Sequence, residues 1–290
     1  MKNNQQLVSI GMPVYDRLEP TRRAINSILN QSYKNLEIII SNDCSPQPEM
    51  YKMLDEFAAK DPRIKLFHQK VDLQCYGNYY FVQQQATGKY FMYGQDDDWW
   101  DEDYIEKLVN NLEKNPDNAF ALAHSFYVAP DGKKWQEFCF DKQNIISFIF
   151  GEKNPFILMG MWRTDILSGI NQTKEYRPGE DIIIGAEAIL SYSFGYVNNT
   201  TYYKTIYHDK SRKYILKDRF YPLKIYSYML YRIFMSKHIK QKRLLIIIVP
   251  LSIVGIIRLY VAAFLFKLST NNPIRCLIRR ILGRNLIRED

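Results

Sequence analysis

The amino-acid sequence predicts an α/β protein: a mostly parallel sheet flanked by helices, followed by a helical, basic C-terminal tail. Three observations predict it. Short apolar runs alternate with segments of helical period over the first 93 residues, acids and amides gather just after those runs, and the charge balance reverses near residue 210. The 290 residues are 47% hydrophobic and 24% charged, enough to bury a sizeable core and outside the disordered class.

The first apolar run, LVSIGMP (7–13), ends at proline and reads as a buried strand. After Glu19-Pro20-Thr21, the positions Ala24, Ile25, Ile28 and Leu29 recur with helical spacing. The alternation then repeats. EIIIS (37–41) is a strand and 48–59 a helix; IKLF (64–67) is a strand and 76–86 a helix; YFMY (90–93) is a fourth strand. Strands separated by helices require right-handed crossovers and hence parallel pairing. In such sheets ligands bind beyond the carboxyl ends of the strands, which directs attention to 13–17, 42–46, 69–77 and 95–98. Region 120–207 is more mixed, with apolar runs at 119–128 and 145–150 and turn signals at Asp131-Gly132 and Pro178-Gly179.

Several function classes are excluded. Cys44, Cys75, Cys139 and Cys276 are scattered, without C-x-x-C pairing or a histidine at zinc-ligand spacing, which suits a reducing cytosol. Residues 1–6 lack the layout of a secretion signal. No G-x-G-x-x-G or G-x-x-x-x-G-K-[ST] loop follows any strand, which argues against dinucleotide binding, a P-loop and the phosphate loop expected of a nucleotidyltransferase.

The most informative feature is Asp96-Asp97-Asp98 at the end of the fourth strand. Three adjacent carboxylates repel one another unless a cation lies among them. At a sheet's carboxyl edge their hard oxygens suit Mg²⁺ or Mn²⁺, ions that bind through one or two carboxylates and substrate phosphates. A solvated helix start is the plainer alternative, because an apolar helical pattern, Ile105, Leu108, Val109 and Leu112, follows.

VSIGMPVYDR, then NDCS after the second strand, then ATGKYFMYGQDDDWWDEDYIEKL, together resemble the family 2 glycosyltransferases, whose A-type nucleotide-sugar fold has a Rossmann-like sheet. The resemblance spans about residues 7–210. It implies that Pro13, Val14 and Tyr15 line the base pocket of a nucleotide-diphosphate sugar, a UDP-sugar by preference, with Asp16 and Asn78 also on the donor side. It implies further that Asp43 hydrogen-bonds the base, that Asp96 faces the ribose or the metal, and that Asp97 ligates the divalent ion. The sequence departs from the family pattern at two places: the first acid of the metal motif falls on Gln95, and the second turn reads Asn42-Asp43-Cys44 in place of Asp-Asp-Gly. A one-residue shift moves the ligand to Asp98 or Asp96.

Glu180-Asp181 precedes the apolar run IIIGAEAIL and on its own reads as a capped helix start. The resemblance implies instead that one of the pair, Asp181 before Glu180, accepts the proton of the acceptor hydroxyl, giving a single displacement with inversion. It implies that His208 reaches the metal or diphosphate, with Arg212 and Lys213 placed for phosphate oxygens. Trp99, Trp100 and Trp162 are candidates for stacking on an acceptor sugar or for the core.

Residues 210–290 hold 18 Lys/Arg against 3 acids, while the first 209 are net acidic. Between the basic clusters, 244–266 contains a single charge, Arg258, and is long enough to span a bilayer. Pro250, Gly255, the central arginine and basic flanks on both sides argue for broken helices lying in or dipping into one leaflet. Ile274, Leu277, Ile278, Ile281 and Leu282 form one face of an interfacial helix, and seven aromatics in 214–234 suit the headgroup zone. An ordinary helical subdomain or dimer interface is the alternative. Nucleic acid fits poorly, since long apolar runs have no role on a phosphate-tracking surface.

Together these readings divide the chain into a catalytic region 1–210, with a nucleotide-sugar half 1–119 and an acceptor half 120–210, and a membrane-associated region 211–290. The resemblance implies a metal-dependent inverting transferase at the cytoplasmic membrane face, extending a lipid-linked glycan in cell-surface polysaccharide synthesis. The alternatives are transfer directly to polyprenyl phosphate, or a non-catalytic sugar-nucleotide-binding scaffold.

Overall fold

Seven consecutive buried residues make β1 (Val8–Val14), and seven more make β2 (Leu36–Asn42). Strands buried on both faces need helices on both sides, which the intervening segments supply. The computed structural model describes residues 5–129, 133–138, 157–170, 180–205 and 231. The chain divides into two units, Met1–Asp209 and Lys210–Asp290; the strands and helices named below all lie in the first.

The first half follows the alternation in the sequence: β1, α1 (Leu18–Leu29), β2, α2 (Pro48–Lys60), β3 (Ile64–His68), α3 (Gln74–Gln84) and β4 (Tyr90–Tyr93). Every neighbouring pair among these strands is parallel, in the order β3-β2-β1-β4. α1 buries Thr21, Ala24, Ile25 and Ile28, the stripe its spacing predicts. α3 packs tightly against the central strand, since a Cβ at Gly11 would lie 2.8 Å from the side chains of both Val82 and Phe91. Pro13 sits near the end of a central strand, where a missing N–H is normally costly. Alternate residues of β1 face β4, whose last bonds reach Gly11, so Pro13 lies just beyond that ladder.

The second half is mixed. β5 (Trp99–Trp100) is followed by α4 (Tyr104–Lys114), β6 (Asn118–Val128), β7 (Lys134–Phe138), a 3-10 turn (Ile157–Met159), β8 (Met161–Arg163), α5 (Thr164–Ile170), α6 (Glu180–Ser191) and β9 (Ser193–Thr205). β8 runs antiparallel between β4 and β6; β9 is parallel to β6 and antiparallel to β5. Among the described residues the sheet has nine strands, ordered β3-β2-β1-β4-β8-β6-β9-β5 with β7 beside β6. Trp100 and Trp162 are buried, the first stacked on Tyr202 and the second on Phe120, so both serve the core; Trp99 is half-buried and stacks on Tyr203.

The apolar run 145–150, the turns at 131–132 and 178–179, and the tail segments 214–230, 244–266 and 274–282 lie outside the described residues. Among the described residues no helix is long and apolar enough to cross a membrane.

Candidate active site

Parallel register places the ends of β1, β2 and β4 along one edge of the sheet. Val14 ends β1, and its carbonyl accepts a bond from the Asp43 N–H at 2.9 Å, which holds the first two candidate turns together. Tyr15 beyond it is 47% exposed, a ring at the rim rather than in the core. Asp16 is half-buried, and its carbonyl accepts a bond from Gln47 Nε2 at 2.6 Å.

In the second turn, Cys44 occupies the family's glycine position and adopts φ 54°, the left-handed region that glycine favours. Asp43 is buried, and its Oδ1 accepts a bond from the Leu73 N–H at 2.7 Å, just before α3. Burial raises its pKa above the usual carboxylate range, opposed by that bond and assisted by the charge of Asp72. Asn78 lies behind this turn, fully buried, donating to the Ser41 carbonyl at 3.0 Å and so tying α3 to β2.

After β4, Gly94 and Gln95 lead into the acid triplet. Gln95, in the first acid's place, is half-buried; its Oε1 accepts a bond from the Tyr79 hydroxyl and its Nε2 donates to Met159 Sδ. All three aspartates are buried, and they divide into two groups. Both oxygens of Asp98 are engaged by β9: the Tyr202 hydroxyl donates to Oδ2 and the Thr205 N–H to Oδ1 at 2.7 Å. That carboxylate pins the turn to the strand. Asp96 and Asp97 instead turn toward Arg17, whose Nη1 lies 3.0 Å from Asp96 Oδ1 and 3.1 Å from Asp97 Oδ2. Burial, with the adjacent charge of Asp97, pushes the Asp96 pKa up to about 7 despite Arg17, and burial and Asp97 do the same to Asp98.

A second arginine fixes the backbone below the pair. Arg23 Nη2 donates to the Asp97 carbonyl at 2.8 Å and to Thr205 Oγ1 at 3.1 Å, with the guanidinium 3.8 Å over the Trp99 ring. Thr205 Oγ1 donates to that same carbonyl at 2.5 Å.

Asp181 lies in the first turn of α6, half-buried. Its charge reaches Cys75 at the start of α3, as do the charges of Asp96 and Asp43. Crowding of the thiol by surrounding protein, then Asp96, Asp181 and Asp43 acting against Arg17, raises its pKa. Nothing is described of the Glu180 side chain, and His208, Arg212 and Lys213 lie outside the described residues.

The structure thus brings Val14, Asp43, Asp96, Asp97 and Asp181 to one end of the sheet. Sequence reasoning missed Arg17, Arg23, Tyr202 and Thr205. Arg17 directly follows Tyr15-Asp16 and was legible as a cation at a strand end; Tyr202 and Thr205 had no local signal, being more than 100 residues from the acids they hold. Among the described residues no group of three or more His, Cys, Asp or Glu is placed to hold a metal ion. The donor set that faces one cation is two buried carboxylates, hard oxygens that fit Mg²⁺ or Mn²⁺ completed by phosphate and water.

The model of the family described as "Glycosyl transferase family 2" matches residues 9–165, more than half of the chain. The chain belongs to that family. It is 32% identical over 128 residues to a putative colanic acid biosynthesis glycosyl transferase, WcaA, of Escherichia coli (strain K12), covering 43% of this chain and 44% of that relative. An uncharacterized glycosyltransferase of Haemophilus influenzae is 37% identical over 112 residues, 39% of this chain and 34% of its own length. The chain thus spans less than half of these relatives. Among solved structures, S. aureus TarS 1-349 in complex with UDP-GlcNAc superimposes with a TM-score of 0.64 at 12% identity, covering 97% of this chain and 80% of that one. The mannosyltransferase PcManGT from Pyrobaculum calidifontis, in complex with GDP-Man and Mn²⁺, gives 0.60 at 12% identity over 98% and 81%. At such identities these two show a shared fold.

Proposed function

We propose that the chain is a metal-dependent, inverting glycosyltransferase. It moves a sugar from a nucleotide-diphosphate sugar, a UDP-sugar by preference, to a hydroxyl of a lipid-linked glycan at the cytoplasmic face of a membrane. The observation that carries this is the pair Asp96 and Asp97: two adjacent buried carboxylates at the carboxyl edge of a family 2 sheet, turned toward a single cation. The UDP-GlcNAc bound to TarS and the GDP-Man and Mn²⁺ bound to PcManGT support the choice of donor and metal.

On this reading Asp96 and Asp97 hold a Mg²⁺ or Mn²⁺, which supplies positive charge opposite the diphosphate. Tyr15 at the rim and Asp43 in the second turn receive the base. Asp181 accepts the acceptor hydroxyl's proton while that oxygen bonds to the anomeric carbon and the bond to the diphosphate breaks on the opposite face, so the configuration inverts. Asp98, Arg23 and Thr205 hold the turn in place so that this geometry exists before substrate arrives. The basic, apolar 210–290 region supports membrane attachment by its composition, which brings the site to an acceptor confined to the bilayer.

Calorimetric titration of the full chain with a panel of nucleoside diphosphates tests the reading, with Mn²⁺ and with chelator. UDP should bind only with Mn²⁺, and Asp97→Ala should abolish that binding. Absence of binding by any nucleotide under either condition would replace the enzyme with a non-catalytic scaffold, the reading that the neutral Gln95 favours.

A further inference from the structure

The cation between Asp96 and Asp97 is part of the protein. Arg17 presents a single nitrogen, Nη1, to both carboxylates at 3.0 and 3.1 Å, where the two oxygens' fields converge. A divalent ion binding those oxygens at about 2.1 Å would meet a fixed positive charge at the same place. Like charges this close in a buried setting repel strongly, so the ion and the guanidinium compete for one position.

The two arginines of this region sit in different surroundings. Arg23 is held by the Asp97 carbonyl, Thr205 and the face of Trp99. Arg17 stands at the residue before α1, outside the helix, with its side chain 43% exposed. The proposed donor would enter from that side, and a guanidinium matches a diphosphate's oxygens with paired hydrogen bonds.

We infer that Arg17 makes metal binding depend on the donor. Without donor, Arg17 occupies the place between the two acids and keeps the divalent ion out. With donor, its guanidinium passes to the diphosphate and the ion takes the two carboxylates. Coupling of this kind is reciprocal, so metal and nucleotide each raise the other's affinity by the same factor. The inference rests on the metal and donor reading above, and deepens it by naming the residue that links the two ligands.

Mn²⁺ titration of the full chain, followed by the electron paramagnetic resonance signal of free Mn²⁺ with and without UDP, tests it. In the wild type, UDP should tighten Mn²⁺ binding by roughly tenfold or more. Arg17→Gln should tighten nucleotide-free Mn²⁺ binding by about tenfold and shrink the effect of UDP. Arg17→Lys, which keeps a positive charge, should retain the weak nucleotide-free binding. Unchanged or weaker nucleotide-free binding in a folded Arg17→Gln variant overturns the inference, as does tightening in Arg17→Lys equal to that in Arg17→Gln. Should Arg17→Gln fail to fold, equal wild-type Mn²⁺ affinity with and without UDP overturns it as well. If the wild type binds no Mn²⁺ even with UDP, the metal reading itself fails and the inference falls with it; Mn²⁺ bound with UDP but indifferent to residue 17 removes the inference alone.

Discussion

The two ends of the central sheet each bury acid, and they treat it in opposite ways. At the amino end, Glu37 of β2 lies beside its partner Ser9 of β1 and is 5% exposed. The Ser9 hydroxyl, the Thr87 N–H at 2.6 Å and hydroxyl at 2.9 Å, the Gly88 N–H at 3.1 Å and the Lys65 ammonium at 2.6 Å all donate to it. Burial alone would raise its pKa, but the donors, Lys65 foremost, bring it down to about 2. At the carboxyl end Asp96 and Asp97 face one arginine nitrogen, and Asp96 is pushed up to about 7. One end has more donors than its charge needs; the other has more charge than its donors can balance. An acid surrounded by donors joins strands, whereas an acid pair short of cation is equipped to take up a ligand.

Mutations at the two ends should therefore fail differently. The largest effect belongs to the carboxyl end: Asp181→Asn should lower turnover by about three orders of magnitude, with nucleotide affinity and melting temperature close to wild type. Steady-state kinetics and calorimetry on the same preparation check it, and unchanged turnover would move the base to another residue. Next comes the amino end. Glu37→Gln should cost about 3 kcal/mol in urea unfolding, because the amide keeps one accepting oxygen but sets an N–H₂ donor in place of the oxygen that accepts from Lys65, leaving that charge unpaired. A cost below 1 kcal/mol would erase the contrast.

Asp96→Asn should do the reverse, raising the stability of metal-free protein at pH 8 by about 1 kcal/mol while removing the stabilisation by Mn²⁺ with UDP. The two ends also separate by pH. Glu37 has a folded pKa below its ordinary value, so its contribution is complete above about pH 4.5 and is lost as pH falls toward 2. Asp96 has a raised folded pKa, so its penalty is absent below about pH 4, grows as pH rises and is complete above about 7. Melting of chelated protein should thus shift upward on acidification from pH 8 to 5.5, and Asp96→Asn should flatten that rise. The smallest effect is Cys44→Gly. Relief of the left-handed strain and the added freedom of the unfolded chain nearly offset, leaving a gain of about 0.5 kcal/mol.

The same contrast explains what the sequence could and could not disclose. β1 to β4 were legible because each is a short apolar run and each helix between them carries its own periodicity, as with Ala24, Ile25 and Ile28. β9 was not, since it passes through Asn198-Asn199-Thr200-Thr201 and is held in place by pairing with β6, some 75 residues earlier. The acids of the site were visible as residue types at strand ends. Their division of labour was not, because Tyr202 and Thr205 decide that Asp98 is a pin and leave Asp96 and Asp97 to Arg17. Long-range partners leave no mark on the local sequence.

The bond from the Thr205 N–H to Asp98 spans 107 residues, and this separation sets the order in which the molecule is finished. β1, β2 and β3 pair with strands 26 to 28 residues away and β4 joins β1 across 82 residues, so this half can form as the chain emerges, whereas the acid turn stays open until the last residue of β9 has been made. At translation rates of about 5–20 residues per second, that interval is roughly 5–20 s. Through it the nascent chain carries three aspartates with no scaffold behind them. The acid pair therefore matures only after its supporting strand, and a chain truncated before Thr205 should hold the sheet's first half without a fixed site.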